Sequence, residues 1–350
     1  MRARDRGTSM AYPQTTQRSY VKWMLFGSIG MFVMFWLSSS TGGGGNSSTN
    51  MGIRGSRKKV MLSELLGVGL VLTAQAAHEI KEVKRLDVED VHIKGQTKEG
   101  ADELITNADE RSNKVFINGY RNQFPGIDML SEETEPEKDG TLSDMSNFRV
   151  KLKHDQELDI SEIRVIVDPL DATQEFTENL QEYVTTMVCI VKNGKPIAGI
   201  INQVFEDSPP IWGVVGKDGA EGETTGRSYV SGAVPGNSKV TLSRSHTGGG
   251  GSVIEKYLNE KEVIMAGGAG YKSLLVVDGV AEAYLHVTHI KSWDVCAAEA
   301  VVKAIGGVFT DVDGSSLDYS TNNLFTRGII ATRTQNVHDE YIGRLAGRLD

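Results

Sequence analysis

Apolar residues recur at helical spacing from Met61 to about Arg85: Leu62, Leu65, Leu66, Leu70, Ala74, Ala77 and Ile80. That spacing predicts an amphipathic helix. A second helix is predicted from near Asn107 through "ADERSNKVFINGYRNQF", with Pro125 ending it. The pattern then changes to strand-like runs at 163–167 ("IRVIV"), 184–191 ("VTTMVCIV") and 196–205 ("PIAGIINQVF"). "NGK" at 193–195 reads as the hairpin turn between the last two. Residues 207–238 are rich in Gly, Ser and Pro, which predicts partly loop and a domain seam. Beyond it strand and helix patterns alternate: "KVTLSRS", "GSVIEKYLN", "EVIMAGG", "AEAYLHV", the helix "WDVCAAEAVVKAIGG", the strand "VFTDV" and a last helix after Asn336. The expectation is an α+β unit over 60–237 and an α/β unit over 238–350, with no internal repeat.

Composition adds limits rather than a function. With 350 residues the chain can bury a large core shared by two domains. It is 39% apolar and 24% charged, ordinary for a globular protein. A net charge of −9 argues against a nucleic-acid binder, whose binding face needs surplus Lys and Arg. It leaves room for a small anionic ligand, because a metal reverses the local sign. Cys189 and Cys296 both lie in apolar surroundings and read as two buried thiols. No Cys/His spacing suggests zinc.

The N-terminus is a different kind of sequence. Residues 23–40 have no charge; Arg2, Arg4, Arg6, Arg18 and Lys22 precede them, against one Asp5. This predicts a cytoplasmic tail at 1–22 and a signal anchor at 23–40, Trp23 and Trp36 marking the interfaces. A flexible stalk follows at 41–59. The rival reading is a cleaved signal peptide, with the small residues of "SSST" at the cleavage site. Asn46-Ser47-Ser48 has the form of a glycosylation acceptor.

The candidate chemistry begins at "VIVDPLDATQEF" (165–176), where Ile and Val give way to two aspartates three apart. Pro169 turns the chain directly after the strand. That turn can gather the Asp168 and Asp171 carboxylates with the Leu170 carbonyl, and a helix from Ala172 would aim amides at the same place. An all-oxygen nest beside an anion site suits Mg²⁺ bridging to phosphate. A capped surface turn would carry the same residues. Two further blocks add carboxylates at element ends: Glu132 and Glu133 in "MLSEETEP", and Asp294 in "KSWDVCAAEA".

"SEE", then "VDPLDAT", then "SWDVCAAEAVVKAIGG" resembles, in order and spacing, the Mg²⁺-dependent, Li⁺-sensitive phosphatase superfamily of inositol monophosphatase. Ala172 stands where that pattern usually has Gly. With "SRSH" and "GGAGYK", it points to the branch of Golgi-resident phosphatases of 3′-phosphoadenosine 5′-phosphate (PAP). The resemblance covers roughly residues 60–345 and implies a layered αβαβα sandwich behind an N-terminal anchor. It implies Glu132, Asp168, Asp171, Asp294 and the Leu170 carbonyl as ligands of two or three Mg²⁺ ions, with Glu133 behind them. It makes Asp109 and Thr173 the pair that orients and deprotonates the attacking water. It assigns Thr173, Ser243, His246, Gly268 and Lys272 to substrate. The activity implied is removal of the 3′-phosphate of PAP in the Golgi lumen, by a homodimer, with no nucleic-acid partner. Plain alternatives remain: His246 as a loop histidine, the "GGAG" glycines as a tight turn, Lys272 as a surface charge and Asp109 as a first-turn acid. An inositol phosphate phosphatase and a non-catalytic tethered nucleotide binder are the competing functions.

Overall fold

A computed structural model of the chain describes residues 59–98, 100–136, 145, 147–217, 222–225, 238–245, 250–258, 260–321 and 323–348. The expected anchor at 23–40, the expected stalk apart from its last residue Lys59, and Asn46 lie outside these residues, and so does His246. Residues 54–350 form one compact unit. Among the described residues no helix is long and apolar enough to cross a membrane.

The unit opens with β1 (Lys59–Met61) and α1 (Leu62–Leu86). Leu62, Leu65, Leu66, Leu72 and Ile80 of α1 are fully buried, as the helical spacing requires. A hairpin of β2 (Val91–Gln96) and β3 (Asp102–Thr106) leads into α2 (Asn107–Gln123). Thr106 caps α2: its Oγ1 accepts from the Ala108 amide while Asp109 reaches back to the Thr106 amide. Then come β4 (Asp128–Ser131), β5 (Glu157–Asp159) and β6 (Ile163–Asp171). The helix expected from Ala172 is the five-residue α3 (Thr173–Thr177). The strands β7 (Thr185–Lys192) and β8 (Lys195–Gln203) follow, joined at Asn193 and Gly194, both with positive φ, as "NGK" predicts. The segment read as partly loop carries two short strands, β9 (Ile211–Val214) and β10 (Glu223–Thr224). Strands β4 and β6 to β10 make one six-stranded sheet, ordered β10-β9-β8-β7-β6-β4, with only the β4–β6 pair parallel.

The remainder is β11 (Lys239–Ser243), α4 (Gly250–Tyr257), β12 (Glu262–Ala266), α5 (Ala269–Val277), β13 (Ala283–His286), β14 (Ile290–Lys291), α6 (Ser292–Ala304), β15 (Val308–Asp311), β16 (Leu324–Phe325), β17 (Ile329–Thr332) and α7 (Gln335–Leu345). Its five-stranded sheet runs β12-β11-β13-β17-β15. One apolar cluster joins α1 and α2 to the six-stranded sheet. Another packs that sheet's opposite face on α5, α6 and the second sheet. A third covers the far face of the second sheet with α4 and α7. The result is a five-layer αβαβα stack.

One expectation is corrected. Cys189 and Cys296, read as buried thiols, form a disulfide that ties β7 to α6 across 107 residues. The helix lies directly on the sheet and brings the two Cα atoms to 5.7 Å, within the range a disulfide spans.

Candidate active site

The layering aims several element ends at one cavity of about 550 Å³. Glu132 enters just past the end of β4, Asp168 and Asp171 at the end of β6, and Asp294 in the first turn of α6. Leu170, Thr173, Ser243, Gly268 and Lys272 line the same cavity. The predicted residues are thus brought together from segments more than 150 positions apart, with two exceptions. His246 is outside the described residues. Asp109 is fully buried one hydrogen bond behind the wall, where the Thr173 hydroxyl donates to its Oδ1 at 3.0 Å.

The turn after β6 is fastened from both sides. Ser112 of α2 donates its hydroxyl to the Pro169 carbonyl at 2.6 Å. Asp168 Oδ1 accepts from the Leu170 amide at 3.2 Å. Ala172 holds φ +74°, the left-handed region, which explains why a glycine suits this position. Asp171 accepts from the amides of Ala269 (Oδ1, 3.0 Å) and Gly270 (Oδ2, 2.8 Å) and from the Thr185 hydroxyl (Oδ2, 2.9 Å). Asp294 accepts from the Lys291 amide at 3.1 Å. Lys94 of β2 reaches Glu132 at 2.6 Å and Glu133 at 2.5 Å.

Burial and mutual repulsion hold the cavity carboxylates above their ordinary range. Burial pushes Asp168 well up, and the Glu132, Asp171 and Asp294 charges push it further. Asp294 is raised in the same way, by burial and then by Glu132 and Asp171. Burial, against the pull of Lys94, lifts Glu132 to about 7. Asp109 is pushed up to about 6, again chiefly by burial, while its Thr106 hydrogen bonds oppose the rise. Lys272, 3% exposed, is pulled down to about 8 by burial. It donates to the Gly268 and Ala266 carbonyls and lies 5.2 Å from the Tyr284 ring centroid. Four mutually repelling carboxylates, Asp168 and Asp171 buried and Glu132 and Asp294 partly so, offer the oxygen chemistry that a hard divalent cation such as Mg²⁺ prefers. As they stand, no three acidic, imidazole or thiol side chains among the described residues converge as an ion would draw them. Each carboxylate is turned onto a protein donor and keeps further lone pairs for a ligand.

Comparison with known proteins shows the family. Residues 61–348 match the model of the inositol monophosphatase family. The chain belongs to that family. It is therefore a metal-dependent phosphatase, and enzymes of this family generally use Mg²⁺. It is 36% identical over 288 residues to "Inositol monophosphatase 3" of Danio rerio, covering 79% of this chain and 82% of the relative. It is 34% identical over 301 residues to the "Golgi-resident adenosine 3',5'-bisphosphate 3'-phosphatase" of Mus musculus, covering 82% of each. The fold is shared with the crystal structure of the extragenic suppressor protein SuhB from Bartonella henselae, at 18% identity and a TM-score of 0.63, over 82% of this chain and all of that one.

Three features in or behind the cavity escape the sequence reading. Lys94 sits on a hairpin that is exposed along most of its length, so its apolar pattern is faint. Glu175, 2% exposed, lines the cavity and pairs with Arg244 at 3.2 Å. Thr185 looks like ordinary strand filler in "VTTMV"; only its register opposite Asp171 gives it meaning.

Proposed function

We propose that this chain removes the 3′-phosphate of PAP, giving AMP and phosphate. The observation that carries the reading is the single cavity that joins the four carboxylates to the wall of Ser243, Gly268 and Lys272. Its volume of about 550 Å³ leaves room for a nucleotide. The relatives named as Golgi-resident adenosine 3',5'-bisphosphate 3'-phosphatases support it.

In this reading Glu132, Asp168, Asp171, Asp294 and the Leu170 carbonyl hold two or three Mg²⁺ ions. Bound there, the metal supplies an activated water and neutralises charge on the departing oxygen. The chain's own part is proton handling and recognition. Asp109 Oδ2 is occupied by the Thr106 amide and hydroxyl at 2.8 and 2.6 Å, so Oδ1 alone faces Thr173. Thr173 orients the water and passes its proton to that Oδ1. Glu133 keeps Lys94 against the cavity mouth. Lys272 has one N–H beyond its two carbonyl partners, which it gives to a phosphoryl oxygen of the ligand. Ser243, Gly268 and His246 complete the substrate wall. The five-residue α3 is too short to add a useful dipole.

The same reading places the enzyme in the Golgi lumen as a homodimer, tethered by residues 23–40 in type II orientation. A Cys189–Cys296 disulfide suits an oxidising compartment. A second reading, an inositol phosphate phosphatase, is favoured by the similarly close relatives named "Inositol monophosphatase 3". Phosphate release from PAP and from inositol 1-phosphate, with Mg²⁺ titrated, separates the two. PAP is expected to turn over faster at every Mg²⁺ concentration; preference for inositol 1-phosphate overturns the proposal.

A further inference from the structure

Of the four cavity carboxylates, Asp171 is the one gripped by donors from two other elements. Thr185, the first residue of β7, is fully buried and stands in register opposite Asp171, across an irregularity in the β6–β7 ladder. Its hydroxyl donates to Oδ2 at 2.9 Å. The first two amides of α5 supply the other donors, one to Oδ1 and one to Oδ2. Two donors fill the lone-pair directions of Oδ2, so only Oδ1 retains one. The chain leaves just enough room for this: a Cβ on Gly270 would stand 2.3 Å from the Thr185 Oγ1 and 3.1 Å from Asp171 Oδ2.

We propose that Thr185 is a positioning residue of the metal site, fixing the Asp171 carboxylate so that Oδ1 is presented to the ion. The inference rests on Asp171 being a ligand. Groups that orient a metal ligand typically change metal affinity 10–100-fold when removed. A hydroxyl that merely filled space would leave affinity unchanged.

The test uses the purified full-length chain and Mn²⁺, with free Mn²⁺ followed by electron paramagnetic resonance. Thr185→Val keeps the shape and deletes the donor. It is expected to weaken Mn²⁺ binding about tenfold or more, while the metal-free protein stays folded, its thermal midpoint lowered by the loss of one buried hydrogen bond. Thr185→Ser, which restores the donor, is expected to return affinity to within about twofold, an effect no bulk-filling role produces. Wild-type affinity in Thr185→Val, or a serine variant no better than the valine, overturns the inference. Should the valine variant fail to fold, Gly270→Ala displaces the same hydroxyl; unchanged affinity there also overturns it. Asp171→Asn serves as the reference. If it binds Mn²⁺ like wild type, the ligand assignment itself is wrong; if it loses binding while Thr185→Val does not, only the role of Thr185 is refuted.

Discussion

Glu132→Gln is expected to stabilise the metal-free protein and to remove most of the stabilisation that Mg²⁺ brings. Burial, opposed by Lys94 and reinforced by Glu133, raises the Glu132 carboxyl from 4.5 to about 7. Between those values the folded chain keeps a proton that the unfolded chain has released. Metal-free stability therefore falls as pH rises through this window. By pH 8 the ionised carboxylate costs the fold about 3 kcal/mol. Glutamine keeps the size and removes the charge, and Lys94 still has Glu133 at 2.5 Å. The gain at pH 8 in EDTA should be roughly 2–3 kcal/mol, on the order of 5 °C in Tm. At pH 4 the two proteins should unfold together, because Glu132 is then protonated in both states. Mg²⁺ at a hundred times its Kd should add about 2.7 kcal/mol to wild type and much less to the variant, so that the variant's advantage largely disappears. Thermal unfolding by circular dichroism reads all of this. A variant less stable than wild type in EDTA at pH 8, or one raised by Mg²⁺ as much as wild type, refutes the reasoning.

Other outcomes follow from the same geometry. Ala172→Gly should raise stability in urea by up to about 1 kcal/mol, since relief of the left-handed φ of +74° outweighs the added freedom of the unfolded chain; a clear loss would show that the methyl has a packing role. Asp109→Asn should lower kcat about 10²–10⁴-fold. In wild type the rate should fall as pH drops through about 6, where Asp109 takes up the proton it must be free to accept. A pH–rate profile with the same acid limb in the Asn variant counts against the assignment. Cys189→Ala should cost about 3–5 kcal/mol, because the disulfide closes a long loop in the unfolded chain; equal urea midpoints would show that the bond is absent in solution.

The sequence showed α1, α2, the β7–β8 hairpin and α6 because each has a strong apolar period and a clear stop. The carboxylate blocks were legible as a set because each lies at one end or the other of an element, and these ends meet at one cavity. What was illegible depends on contacts between distant segments. The β2–β3 hairpin has no buried stripe to announce it. The Cys189–Cys296 pairing needs β7 beneath α6, which two apolar cysteine contexts do not specify. The placements of Thr185 and Glu175 come from the β6–β7 register and from Arg244, just past β11, meeting α3, not from local pattern. Ala172 was visible as a departure from the family pattern, but its cost appears only with its φ.

The central claim is that carboxylates from three distant segments hold catalytic Mg²⁺. Anomalous diffraction from a crystal soaked in Mn²⁺ tests it most directly. The account predicts Mn²⁺ peaks within about 2.2 Å of oxygens from Glu132, Asp168, Asp171 and Asp294. Peaks elsewhere, or no ion among these four at saturating Mn²⁺, would contradict it.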